Sequence, residues 1–235
     1  MKLGIIGAMD VEVATLKANM TEKAETAVAG SVFCEGVLEG LPAVVVQCGV
    51  GKVNAALCAQ ILCCQFGVSH IVNTGIAGSL DNDLDIGDFV ISRDAIYHDF
   101  TCGALNPAYV VGQIPGCPVR TFPADEKLVQ IAFAAADSLP NCYAKIGTIA
   151  SGDQFVAQKE QKKKIIADTG ALCTEMEGAA VAHTAWRNEI PFVVIRAISD
   201  KADDSAEMDY PTFEAMAAQK CALVTRAMAK TLTKM

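Results

Sequence analysis

The run Thr174-Glu175-Met176-Glu177-Gly178 sets two carboxylates two residues apart in an apolar neighbourhood. "GALC" (170–173) precedes it and "AAVAHTAW" (179–186) follows, so the pair falls where a short strand meets a helix. Open α/β proteins place ligand-binding groups at such junctions, where a carboxylate can accept hydrogen bonds from a bound molecule. Acidic residues also offset the positive end of a helix dipole and accept from its free N–H groups. Taken alone, the five residues fit the helix-terminus role better. Three other strand ends carry comparable groups: "GAMDVE" (7–12), "NTGIAGSL" (73–80) and "RAISDKADD" (196–204).

Other chemistry-bearing patterns fail on spacing. "GVGK" (49–52) suggests a phosphate loop, but that motif needs glycine where this chain has Val46 and a hydroxyl where it has Val53. As a dinucleotide fingerprint it fails at Asn54, which stands in the third glycine position. No G-x-S-x-G elbow supplies a hydrolase nucleophile. His70, His98 and His183 are scattered without ligand spacing, so no metal or cofactor is expected.

The elements that must position these groups can be read from the apolar pattern. Short apolar, strand-like runs lie at 2–8, 69–80, 87–98, 144–155 and 192–200, and those at 2–8, 69–80 and 144–155 enter glycine-bearing turns. Helical patterns occupy 10–20, with Val11, Leu16 and Met20 as core candidates, then 49–66 after a glycine turn, and about 210–232. Residues 26–48, with turns at Gly30, Gly36 and Gly40, read as a hairpin or small meander. Residues 99–118 have glycine, proline and asparagine punctuation without a period, and are expected to form a long loop. Strands alternating with helices predict one α/β domain over 1–235, built on a largely parallel twisted sheet.

Composition bounds the partners. Apolar residues make up 52% of the 235 and charged residues 20%, enough for a large core and too ordered a mixture for a disordered chain. A net charge of −8 argues against nucleic acid or an anionic membrane surface and fits a small-molecule ligand. Among the ten cysteines, Cys58, Cys63 and Cys64 lie in a helical run and Cys48 and Cys173 in strand-like runs, as small core residues would. With no C-x-x-C pair, no signal-peptide pattern and no apolar run of membrane-span length, a reduced cytoplasmic protein is expected.

The four strand-end motifs, together with "SGDQF" (151–155), "YHD" (97–99) and "PGCP" (115–118), closely resemble the 5′-methylthioadenosine/S-adenosylhomocysteine nucleosidases. These form part of the wider purine-nucleoside phosphorylase and nucleosidase superfamily, and the resemblance runs in order from residue 1 to about 230. It implies a three-layer α/β/α domain with a central twisted mixed sheet. It also implies hydrolysis of the N-ribosidic bond of methylthioadenosine and S-adenosylhomocysteine, extending to 5′-deoxyadenosine, in methionine salvage. Such a reaction passes through an oxocarbenium-like state: the leaving base must gain a proton while a water is held on the opposite face, work two carboxyl groups can divide.

By motif match, Asp200 would protonate adenine at N7, with Ser199 positioning it, and Glu12 would orient and deprotonate the water. Glu177 would accept from the ribose 2′- and 3′-hydroxyls, while Met176 and Met9 pack on the sugar and Arg196 lies near the water. Phe155 would stack on adenine, the Val156 backbone would read its edge, and Tyr210 would line the pocket for the 5′ substituent. Glu175 joins the set as a supporting carboxylate. A homodimer is also implied, with loop 99–118 near the neighbour's pocket.

Two features depart from the family pattern. Ile76 stands where the family commonly has a serine whose hydroxyl helps hold the water, which leaves that task to Glu12 and Arg196. Cys102 and Leu105 stand where apolar or aromatic pocket residues are expected. The carboxylates at 10 and 12 repel a phosphate dianion and favour water as the nucleophile. Three alternatives stay open: a phosphate-dependent purine-nucleoside phosphorylase, a futalosine-type hydrolase, and a catalytically silent nucleoside-binding protein.

Overall fold

All five residues of the first strand, β1 (Leu3–Gly7), are buried, as expected of an apolar run covered on both faces. The computed structural model describes residues 1–203 and 205–235. After β1 come α1 (Asp10–Ala18) and a three-stranded meander, β2 (Met20–Val28), β3 (Ser31–Leu38) and β4 (Leu41–Gln47). Next are α2 (Lys52–Cys64), β5 (His70–Ser79), β6 (Phe89–Tyr97), β7 (Phe122–Pro123), α3 (Glu126–Asp137) and β8 (Ala144–Ser151). The chain finishes with α4 (Lys159–Thr169), β9 (Cys173–Glu175), α5 (Gly178–Arg187), β10 (Phe192–Asp200) and α6 (Ala206–Leu232).

The mixed α/β architecture matches the expectation, but the sheet is not largely parallel. β1 runs parallel to β4 and β5, and β5 parallel to β10, while the meander, the β6–β10 pair and the β5–β9 pair are antiparallel. β6 and β8 pair in parallel, as do β8 and β9. These pairings close a ring, β5–β10–β6–β8–β9 and back to β5, beside an open wing of β1 to β4. Strand twist carried around the sheet permits such closure. The three residues of β9 complete the ring, and this brings the 174–178 junction over the ends of β5 and β8.

Helices cover both faces. α1, α3 and α6 pack Val13, Leu16, Leu128, Ala132, Ala218 and Cys221 into one core. α2 and α5 pack Ala55, Ala59, Leu62, Ala180 and Val181 into the other. Val11 is only partly buried, whereas Leu16 and Met20 are buried, and Met20 opens β2 rather than closing α1.

Two helices escaped the periodicity reading. α3 is capped by Asp125, whose side chain accepts from Leu128 N at 2.9 Å. α4 is mostly charged and buries little beyond Lys162 and Ile165, ending at Gly170 with φ +65°. α6 begins at Ala206, earlier than expected. Residues 99–118 carry no helix or strand, as expected. All ten cysteines are free; Cys48, Cys58 and Cys173 are core residues, but Cys64 is exposed on the outer side of α2.

Candidate active site

Two glycines of β5 make room for two carboxylates. A Cβ on Gly75 would meet Glu12 Oε1 at 2.4 Å, and one on Gly78 would meet Asp200 Oδ1 at 2.7 Å. Glu12 sits in the first turn of α1 and reaches back to the end of β1. Its Oε2 accepts from Ala8 N at 2.6 Å and Met9 N at 2.9 Å, and its Oε1 from Ile76 N at 3.1 Å. Backbone donors therefore fix this carboxylate, as a capping-box glutamate fixes a helix entry.

Asp200 is aimed by a break in strand pairing. β10 keeps register with β5 from Phe192 to Ile198, then shifts so that Asp200 lies opposite Gly78. A local irregularity of this kind re-aims a side chain. Asp200 Oδ2 accepts from Ser199 Oγ at 2.8 Å, and Oδ1 from Ala202 N at 2.8 Å.

The two glutamates of the Glu-Met-Glu run face different surroundings. Glu175 is the helix-terminus carboxylate: Oε2 accepts from Glu177 N at 3.0 Å and Gly178 N at 2.7 Å, the first free N–H groups of α5. It also pairs with Arg196 and accepts from Ser151 Oγ, whose oxygen accepts from Ala179 N at 2.7 Å. Glu177 instead faces the cleft, held through Oε1 by Gly51 N at 2.7 Å.

Arg196 departs from expectation. It is 1% exposed and does not line the cleft, because Glu175 and Asn73 take its outer nitrogens, Asn73 Oδ1 at 2.6 Å. Its Nη1 comes to 3.4 Å from a Cβ built on Gly75, on the same side as Glu12, so it acts on the cleft as a charge behind the wall.

The cleft holds about 570 Å³ of empty space, the open solvent at its mouth included. Apart from Arg196, every residue singled out from the sequence lines it: Met9, Glu12, Ile76, Phe155, Val156, Glu175, Met176, Glu177, Ser199, Asp200 and Tyr210. The Ile76 side chain contributes apolar wall while its backbone holds Glu12. Phe155 stands half exposed at the mouth, its ring edge-on to Tyr210 at 5.4 Å. Val50, Gln154 and Thr174 also line the cleft and were not anticipated. Asn73 and Ser151, which anchor Arg196 and Glu175, lie inside quoted motifs but gave no sign of their task.

Electrostatics separate the carboxylates. Burial raises Glu12, against the pull of Arg196 and its backbone donors. Burial likewise raises Asp200 above the ordinary aspartate range, although Ala202 and Ser199 favour its charged form. Burial and the neighbouring charge of Glu175 push Glu177 up to about 8. Glu175 goes the other way: burial opposes its charge, but Arg196 and its hydrogen bonds outweigh burial and hold it low. Three groups poised to carry a proton and one permanent anion thus share the site. Among the described residues no group of three His, Cys, Asp or Glu side chains could hold a metal ion.

A parallel-and-antiparallel ring with buried carboxylates at the ends of its strands marks an α/β protein with a small-molecule site. The family model for the phosphorylase superfamily matches residues 2–230. The 5′-methylthioadenosine/S-adenosylhomocysteine nucleosidase of Staphylococcus aureus strain JH9 is 40% identical over 234 residues, 98% of this chain and 100% of that protein. The adenine complex of the corresponding nucleosidase from Colwellia psychrerythraea 34H superposes with a TM-score of 0.94 at 39% identity, covering 99% of this chain and 96% of that one. Futalosine hydrolase of Helicobacter pylori strain 26695 superposes with a TM-score of 0.92 at 33% identity, covering 98% of each chain. The chain belongs to the phosphorylase superfamily, in its 5′-methylthioadenosine/S-adenosylhomocysteine nucleosidase family.

Proposed function

We propose that this chain hydrolyses the N-ribosidic bond of 5′-methylthioadenosine and S-adenosylhomocysteine, releasing adenine and the 5-thio-substituted ribose. The observation that carries the reading is the pair of raised, buried carboxyl groups in one cleft, Glu12 against Gly75 and Asp200 against Gly78. Three residues of strand set those glycines roughly 10 Å apart, room for a sugar between an acid and a water-activating base.

Asp200, whose burial favours the protonated form, donates to N7 of the departing adenine. Glu12 takes the proton from the attacking water, its orientation fixed by three backbone donors. Glu177 accepts from the ribose hydroxyls with the oxygen that Gly51 leaves free. Met9 and Met176 pack on the sugar, Phe155 stacks on the base, and Tyr210 borders the 5′ substituent. Arg196, behind Gly75, favours the charged, proton-accepting form of Glu12.

Water is favoured over phosphate because no lysine or arginine lines the cleft among the described residues, and Arg196 is already neutralised by Glu175. A dianion there would meet Glu12 and Glu177 without a cationic partner. The likeness to futalosine hydrolase supports a second reading, hydrolysis of a nucleoside with another 5′ group, and parallel assays with both substrates separate the two.

The same reading includes one domain over 1–235, a reducing cytoplasmic setting that rests on the ten free thiols, a role in methionine salvage, and a homodimer. Support for the dimer is exposed apolar surface: Val50, which lines the cleft, with Val53 and Leu57 on α2 form a strip in which Val53 is 71% exposed, and Leu105 and Val110 of the long loop are exposed as well. A second copy over this strip would cover the cleft where Val50 lines it.

A further inference from the structure

The apolar wall of the cleft has one polar break. Tyr210 Oη lies 3.2 Å from Met9 Sδ and 3.3 Å from Glu214 Oε1. A phenol has one proton, and it faces a thioether and a carboxylate, both of which can only accept. The group therefore holds one acceptor more than it has donors. Glu214 has no further polar partner among the described residues, and it is partly exposed, so its remaining donors come from solvent or from a bound molecule. Burial and the Glu214 charge hold the Tyr210 hydroxyl well above its ordinary range, which keeps that single proton in place.

The position of this group follows from the reading above. With the base against Phe155 and Val156 and the ribose diol at Glu177, the sugar reaches Met9 and then Tyr210, which touches both Phe155 and Met9. The donor-poor group lies where the 5′ substituent ends. Glu214 is one turn further along α6 and only partly buried; it meets the cleft through Tyr210, which lines it, rather than at the reaction centre.

We propose that Tyr210 and Glu214 form a specificity subsite for an ammonium group on the 5′-thio substituent, and that this chain prefers such nucleosides to those ending in an alkyl group. The amino-acid tail of S-adenosylhomocysteine belongs to this chemical class; the methyl of methylthioadenosine does not. An ammonium brings three donors to acceptors that lack one, and its charge meets a carboxylate with no other cation. The tail's own carboxylate then turns toward the open mouth. The assignment rests on the nucleosidase reading and adds a ranking of substrates to it.

The test compares kcat/KM for 5′-(3-aminopropylthio)-5′-deoxyadenosine with that for 5′-butylthio-5′-deoxyadenosine, which has the same chain length without the charge. Wild type is expected to favour the amine about tenfold, the scale of one charge-assisted hydrogen bond. Glu214→Gln is expected to bring the ratio close to one, chiefly through KM of the amine, and Glu214→Asp to restore part of it. Equal turnover of both by wild type would overturn the subsite. So would a Glu214→Gln enzyme that loses both substrates in proportion, since that is the mark of a structural role. Failure of wild type on both probes and on methylthioadenosine would instead overturn the nucleosidase reading, and the subsite with it.

Discussion

Asp200 and Glu12 are both carboxyl groups raised by burial, yet their partners assign them different work. Asp200 accepts one hydroxyl and one amide hydrogen, while three amides grip Glu12 beside the charge of Arg196. Asp200→Asn keeps the shape and removes the transferable proton, so kcat is expected to fall about 10²- to 10⁴-fold with nucleoside binding retained, measured by turnover and by titration with an uncleavable analogue. Glu177 gives a stability signature. Folding lifts it from the ordinary 4.5 to about 8, so between those values the folded chain keeps a proton that the unfolded chain has released. Stability from this group is thus lost as pH rises through that window, and the melting temperature of the ligand-free protein should fall from about pH 5.5 to about pH 8.5. Glu177→Gln is expected to flatten the trend, with the remainder carried by Glu12 and Asp200; an unchanged slope would contradict the assignment.

β5 decides the site at the level of elements, because its glycines leave space that carboxylates on α1 and β10 fill. Gly75→Ala drives a methyl to 2.4 Å from an oxygen that backbone donors cannot release, so activity should drop at least about 100-fold while melting shifts by only about 1–3 kcal/mol. A large loss of stability with activity preserved would reverse that order. Ser151→Ala removes a buried hydroxyl serving both Glu175 and Ala179 N, and a destabilisation of about 1–3 kcal/mol is expected in a denaturant titration. The strand-end motifs were legible in the sequence because strands, glycine turns and charged tips leave local patterns. The division of labour between Glu175 and Glu177 came from the family resemblance and not from local pattern, since it depends on Ser151 and Arg196, 24 and 21 residues from Glu175 along the chain. Closure of the sheet was equally hidden, because it turns on three residues of β9 too short to show a period. α4 escaped for another reason: a surface helix of mostly charged residues has almost no apolar stripe to read.

Over the whole molecule, a net charge of −8 and a cleft lined by carboxylates but by no described lysine or arginine disfavour an anionic co-substrate. The exposed strip of Val50, Val53 and Leu57 bears on assembly. Val53→Asp is expected to convert a dimer to a monomer in light scattering and to raise KM, because Val50 of the same strip borders the cleft. A wild-type monomer would remove the dimer from the reading without touching the chemistry. The chemistry itself is met most directly by product analysis: 5′-methylthioadenosine incubated with the protein in phosphate-free buffer and again with phosphate. Adenine and free methylthioribose, formed at the same rate in both, are the expected result; methylthioribose 1-phosphate formed only when phosphate is present would contradict it and make the chain a phosphorylase.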